Sequence, residues 1–275
     1  MSECSPVEST VVTVAGVRSP VLVGGDEKAP GEAVVFVHGN NAGAPWTALM
    51  NPITEFARAV APEMPGFGAA DKPADFPYTV DGYARHLDGV LTELGVTRAH
   101  LVAHDFGGPW ALAWAADHLD RVASITLINT PVDINHTAAK IWRTPVLADV
   151  MRVVMGERST AALLRRTDPQ VPARALDEIA RHATVPETYR AVVRLYRATG
   201  RDAIGPYVER LKHFPGNVLI IWGDGDAYLP IDQARRQQEL FAHAELRIVP
   251  GVGHWPWLAE PDVVSDHLTA FLSEQ

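Results

Sequence analysis

Short apolar runs alternate with helical patterns at both ends of this chain, and runs of that kind are buried only when both of their faces are covered. "AVVFVHG" (33–39) reads as a buried strand ending in glycine. "FARAVAPEMPGFG" holds another, followed by a loop through Pro65, Gly66 and Gly68. "DGYARHLDGVLTELGV" (81–96) sets Tyr83, Leu87, Val90, Leu91 and Leu94 at helical spacing. "RAHLVAHDF" is a strand that runs straight into the helix "GGPWALAWAADHL". "VASITLINTP" (122–131), "NVLIIWGDGD" (217–226) and "AELRIVPG" are three further strands, and "PDVVSDHLTAFLSEQ" is a terminal helix. A hairpin is expected over 11–25, turning near Gly16. Such alternation specifies an α/β fold, a mostly parallel central sheet flanked by helices.

Between Val132 and Phe214 the pattern changes to helix after helix, with Arg-rich faces and Pro145, Pro169, Pro172 and Pro186 as punctuation. The expected organisation is a core domain of residues 1–131 and 215–275, with 132–214 inserted as a helical lid. Open parallel sheets bind ligands at the C-terminal ends of their strands, and the lid is expected to cover that edge.

A formal charge of −9 argues against a nucleic-acid partner, which needs a basic face. The single cysteine, Cys4, permits no intramolecular disulfide and no cysteine-rich metal site. "MSECSPVEST" lacks the basic and apolar regions of a secretory signal, and no run approaches the roughly twenty apolar residues of a membrane helix. A soluble, cytoplasmic protein without a membrane partner is therefore expected, monomeric or homodimeric. Gly24-Gly25 and Gly107-Gly108 are not phosphate loops, because no Lys-Ser/Thr follows.

The chemistry is concentrated where an apolar strand ends in an acid. Ala103-His104-Asp105-Phe106-Gly107 has the form small-x-acid-x-Gly between strand and helix. A tight turn there lifts one side chain clear of the sheet, and small residues at 103 and 107 let the two backbones approach. The alternative is a structural aspartate that caps the helix. In this frame the chain resembles the α/β-hydrolase superfamily over nearly its whole length, with aspartate in place of the usual serine. That substitution is similar to the branch containing epoxide hydrolases and haloalkane dehalogenases. The resemblance implies that Asp105 attacks a saturated carbon and forms an ester that water can cleave.

The same resemblance distributes the other roles. "VHGNN" (37–41) matches the oxyanion segment, so the backbone N–H groups of Asn40 and Phe106 would form the oxyanion hole. "PGVGHWPWLAEPD" (250–262) places His254 as the general base, one histidine singled out among eleven by its frame. In "WGDGDAYLP" (222–230), Asp226 fits the acid that orients it, with Asp224 as a turn residue. Asp133, after the preceding strand, is the weaker candidate for that acid. "MPGFGAADKP" (64–73) supports the fold alone.

An epoxide leaves as an alkoxide and needs a proton, whereas a halide needs only N–H donors. "LYRA" around Tyr196 resembles the lid stretch that carries a proton-donating tyrosine in epoxide hydrolases; packing on an amphipathic helix is the competing account. Tyr189 and Tyr207 are the other lid tyrosines, and His136 or Trp142 could stand in for a second donor. Asn40 and Trp142 would serve a dehalogenase, but Phe106 offers no side-chain N–H. The expected function is therefore epoxide hydrolysis, with haloalkane dehalogenation as the alternative. A hydrolase tailored to a natural-product intermediate, or a non-catalytic small-ligand binder, stands behind them. The partners expected are a small organic substrate and water, with no metal and no organic cofactor.

Overall fold

The computed structural model describes residues 7–25, 31–39, 46–154 and 156–275. Eight strands form one sheet: β1 (Glu8–Val14), β2 (Val17–Gly24), β3 (Glu32–Val37), β4 (Ala59–Pro62), β5 (Arg98–His104), β6 (Val122–Ile128), β7 (Val218–Gly223) and β8 (Ala244–Val249). Their order is β1-β2-β4-β3-β5-β6-β7-β8. β1 and β2 are the expected hairpin, with Val14 opposite Val17 across Ala15 and Gly16. Both turn residues have positive φ, as a two-residue turn that follows strand twist requires. β2 meets β4 antiparallel, and every pairing from β4 to β8 is parallel.

β3 lies between β4 and β5, so the chain leaves it toward one edge and returns on its other side. This reversal opens a crevice beyond the carboxyl ends of β3 and β5, where open α/β sheets place their ligands. His38 and Gly39 follow β3 there, and Asp105 follows β5.

The helices are α1 (Thr47–Ile53), α2 (Val80–Glu93), α3 (Gly107–Asp117), α4 (Thr137–Arg143), α5 (Pro145–Val154), α6 (Glu157–Thr167), α7 (Ala173–Ala183), α8 (Pro186–Ala198), α9 (Val208–Leu211), α10 (Asp232–Leu240), α11 (Pro256–Ala259) and α12 (Pro261–Ser273). None of them is long and apolar enough to cross a membrane. α3 buries Gly107 through Ala116 on all sides, which explains why its sequence is apolar all round rather than striped. On one face of the sheet Tyr83 of α2 stacks on Trp110 of α3 with ring centroids 3.9 Å apart. On the other, Trp46 stacks on Trp257 at 4.9 Å. β8 is an edge strand and alternates exposed Glu245 and Arg247 with half-buried Leu246.

α4 to α9 all lie between β6 and β7. Among the described residues of that segment one pairing of extended chain occurs, the Asp133–Asp202 bridge, which ties its start to the stretch ahead of α9. Arg201 reinforces the tie with two hydrogen bonds to Asp133, of 2.8 and 2.9 Å.

The crossing of β3 and α3 depends on Gly107, since a Cβ there would stand 2.1 Å from the Val37 carbonyl oxygen. Gly107→Ala is expected to destabilise the fold by about 1–3 kcal/mol through overpacking against backbone. Gly16→Ala meets nothing within 4 Å and bears only the strain of its positive φ. Urea unfolding of the two variants checks the order: Gly107→Ala should lose more of its midpoint than Gly16→Ala.

Candidate active site

Asp105 occupies the first position after β5 with φ of +50°, a left-handed conformation that costs a residue with a Cβ about 1–2 kcal/mol. The turn holds it there: Gly108 donates its N–H to the Asp105 carbonyl at 2.9 Å, and α3 begins immediately. Only Ala15, Asp105 and Asn129 combine a Cβ with positive φ among the described residues. Two of these three, Asp105 and Asn129, lie in the candidate site described below.

Opposite Asp105 stands His254, in the loop between β8 and α11. Its Nε2 lies 4.0 Å from Asp105 Oδ1, and its Nδ1 is 2.7 Å from Asp226 Oδ2. Asp226 follows β7 and accepts three more hydrogen bonds. The N–H groups of Tyr228 and Leu229 reach Oδ1 at 2.7 and 3.0 Å, and Asn129 Nδ2 reaches Oδ2 at 2.8 Å. Burial works against its charge, but the His254 charge and these bonds outweigh burial and hold the Asp226 carboxyl below the usual carboxylate range. For His254 burial again opposes the charged ring; the charge and hydrogen bond of Asp226, then the charges of Asp105 and Asp168, raise it to about 9. At neutral pH the ring is therefore an imidazolium between carboxylates.

The backbone of His254 is held from both sides. Asp168 accepts its N–H at 2.6 Å, and His104 Nε2–H donates to its carbonyl at 2.8 Å. His104 is kept neutral by burial and by the neighbouring His254 charge, which lower it well below the usual histidine range. His38 is likewise neutral, pushed down to about 4 by burial. Its Nδ1–H donates to the Gly39 carbonyl at 2.6 Å and its Nε2 accepts the Met64 N–H at 2.9 Å, so it pins two loops together. Gly39 presses against the site: a Cβ there would be 2.5 Å from Asp105 Oδ2 and 2.7 Å from the Phe106 nitrogen. Phe106 directly precedes the first turn of α3. Asn40 and Cys4 lie outside the described residues.

The helices between β6 and β7 bring an aromatic set against Phe106, the residue after Asp105. The Tyr196 ring of α8 meets Phe106 edge-on at 4.9 Å, and Trp142 of α4 lies 4.7 Å from it. Tyr196 Oη is 3.3 Å from His136 Nε2. The other His136 nitrogen accepts the Ala139 N–H at 3.2 Å and caps α4. Burial, then the His254 charge, lowers His136 to about 4, so it is neutral and its one proton sits on Nε2. It therefore donates to Tyr196, whose hydroxyl oxygen is the acceptor in that bond. A cavity of about 300 Å³ is lined by His136 and Tyr228 together with Asp133, Gln233 and Arg236.

The remaining candidates fall elsewhere. Asp133 is paired with Arg201 and does not approach His254. Asp224 accepts the Gly251 N–H at 2.7 Å, so it fastens the β8 loop rather than its own turn. Tyr189 donates to the Ala148 carbonyl and Tyr207 to Asp81, both packing roles. Three contributors were not singled out from sequence: Asn129, Tyr228 and Asp168. Tyr228 had the best signal, two places past Asp226 in "GDGDAYLP"; its ring is 5.3 Å from His254.

The raised His254 ring links the site to stability. An imidazole whose folded value exceeds its unfolded one stabilises the fold in its protonated form. That contribution is complete below about 6.5, the unfolded value, and is lost as pH rises through about 9. Urea midpoints measured from pH 6 to pH 10 should therefore fall more steeply for the native chain than for His254→Gln. Parallel slopes in the two proteins would contradict this linkage.

Comparison with known proteins agrees with the geometry. The alpha/beta hydrolase fold family matches residues 32–261. A 2-hydroxymuconate semialdehyde hydrolase of Pseudomonas sp. (strain CF600) is 25% identical over 98% of this chain and 95% of its own. A 2-hydroxy-6-oxo-2,4-heptadienoate hydrolase of Pseudomonas putida is 26% identical over 86% of this chain and 88% of its own. A meta-cleavage product hydrolase structure from Pseudomonas fluorescens IP01 superposes with a TM-score of 0.81 at 24% identity, over 98% of both chains. These names overturn the expectation of an epoxide hydrolase or haloalkane dehalogenase. The expectation failed because a carboxylate at the elbow specifies a charge, not the carbon on which the enzyme acts. With the sheet order, the strand-to-helix elbow and the family match in agreement, the chain belongs to the α/β-hydrolase fold family.

Proposed function

We propose that this hydrolase cleaves a C–C bond beside a carbonyl in a small, conjugated enol-oxo acid. Asp105, His254 and Asp226 are its catalytic set, and residues 132–214 act as its cap. The support for the substrate class comes from the relatives, which match most of the chain and are named for 2-hydroxymuconate semialdehyde and 2-hydroxy-6-oxo-2,4-heptadienoate. Both compounds carry a carboxylate and an enol at one end and a carbonyl at the other.

One observation carries the assignment of roles: His254 is raised to about 9 and faces the Asp105 carboxylate across 4.0 Å. A protonated imidazole cannot accept a proton, so it is the acid, and the elbow carboxylate is the base. Water attacks the carbonyl carbon while Asp105 takes its proton. The substrate enol has first ketonised, its hydroxyl proton moving to the carbon beside the distal carbonyl. The C–C bond then breaks, its electron pair passes through the conjugated chain to the 2-oxo oxygen, and His254 gives that enolate oxygen a proton. Asp105 hands its proton back to His254, and the net change is the addition of one water across one bond. The N–H of Phe106 holds the carbonyl oxygen as it gains charge. Tyr196, fixed by the His136 N–H, donates its hydroxyl hydrogen to the substrate. All of these steps use side chains and water, in a soluble enzyme that we place in the cytoplasm.

Incubation with the two dienoates tests this, followed by loss of their near-ultraviolet absorbance and release of formate or acetate. Asp105→Asn should lower kcat by about 10²–10⁴-fold, the range for a lost general base. Activity should fall as pH rises through about 9, because the acid form of His254 disappears. In ¹⁸O-water a single turnover should label the released acid and leave Asp105 unlabelled. Label in Asp105 would make it a nucleophile at the carbonyl, and no consumption of either dienoate by folded protein would end the substrate assignment.

A further inference from the structure

Asp168 is a buried acid that the chemistry above leaves unused. It follows α6 directly, is 0% exposed, and belongs to the insertion rather than to the sheet. Its Oδ1 accepts the His254 N–H at 2.6 Å, short enough for a charge-assisted bond. The approach is so close that a Cβ on Gly253 would stand 2.1 Å from that oxygen. The adjoining Thr167 hydroxyl pairs with Tyr228 at 3.2 Å, and Gln170 donates to the Gly251 carbonyl at 2.6 Å. The end of α6 thus grips the loops after β7 and β8 at three points.

We propose that Asp168 is a positioning residue, through which the helical insertion aims the His254 ring and adds a third carboxylate to its surroundings. The proposal rests on the reading of His254 as the catalytic acid. With the N–H fixed by Asp168 and the carbonyl by His104, the His254 backbone is fixed at both ends, and the ring can swing only about its own side-chain bonds. The groups facing the ring are Asp105 and His104 from β5 and its turn, Asp226 and Tyr228 from the loop after β7, His136 ahead of α4, and Asp168. Asp168 sits with the acids in this set, and its charge adds to the lift on His254. Burial raises its own carboxyl above the usual range, opposed first by the His254 charge.

Asp168→Asn keeps an oxygen for the His254 N–H and removes the charge, whereas Asp168→Ala removes both. NMR titration of the His254 ring, which needs no substrate, should show a lower pKa in Asp168→Asn than in the native protein. In turnover, Asp168→Asn should move the alkaline limb of the pH profile down, while Asp168→Ala lowers kcat on the order of tenfold or more with KM little changed. An unchanged ring titration in Asp168→Asn would overturn the proposal, even with the dienoate activity intact. A lowered titration would uphold it even if neither dienoate were a substrate. Should both variants fail to fold, the native His254 amide proton decides. A far-downfield resonance supports the short bond to a carboxylate, and an ordinary one refutes it.

Discussion

The structure is organised around a buried imidazolium. A charged ring shut away from water is unstable by several kcal/mol unless anions face it and hydrogen bonds hold it. His254 has Asp226 on one nitrogen, Asp105 across from the other and Asp168 on its backbone N–H. Each of these acids is expensive in isolation. Together they compensate the ring, and Asp226 is further secured by Asn129 and two backbone N–H groups. The arrangement leaves a carboxylate and an imidazolium facing each other across 4.0 Å, the pair that the proposed hydrolysis beside a carbonyl would use.

The sheet supplies the geometry for that ring. Its order reverses around β3, so the loops after β3 and β5 diverge and leave a crevice between them. Each later strand brings one element of the site to the same edge: Asn129 after β6, Asp226 after β7 and His254 after β8. Strain is placed where it helps. The left-handed turns at Asp105 and Asn129 put one side chain above the sheet and bend the other toward Asp226. Glycine at 39 and 107 lets the surrounding backbone close in on Asp105 without collision.

The helices between β6 and β7 reach the candidate site itself. α8 brings Tyr196 against Phe106, and a neutral His136 fixes the hydroxyl by donating to it. The end of α6 reaches the catalytic loops themselves.

Much of this was legible in the residues. The alternation of apolar runs and helical patterns named the sheet and its insertion, because burial demands those periods locally. Asp105, Asp226 and His254 could be found because each sits just past a strand end, in a frame that local backbone rules create. Asn129, Tyr228 and Asp168 could not, since their value lies in what they touch across the fold. Asn129 meets Asp226 only because β6 and β7 are neighbours. Asp168 acts by accepting a backbone N–H, a partner that every residue but proline offers and no spacing marks. The type of residue at the elbow determined that a negative charge stands there. Only the tertiary arrangement, by surrounding His254 with acids and raising it to about 9, decided that this charge faces a proton donor.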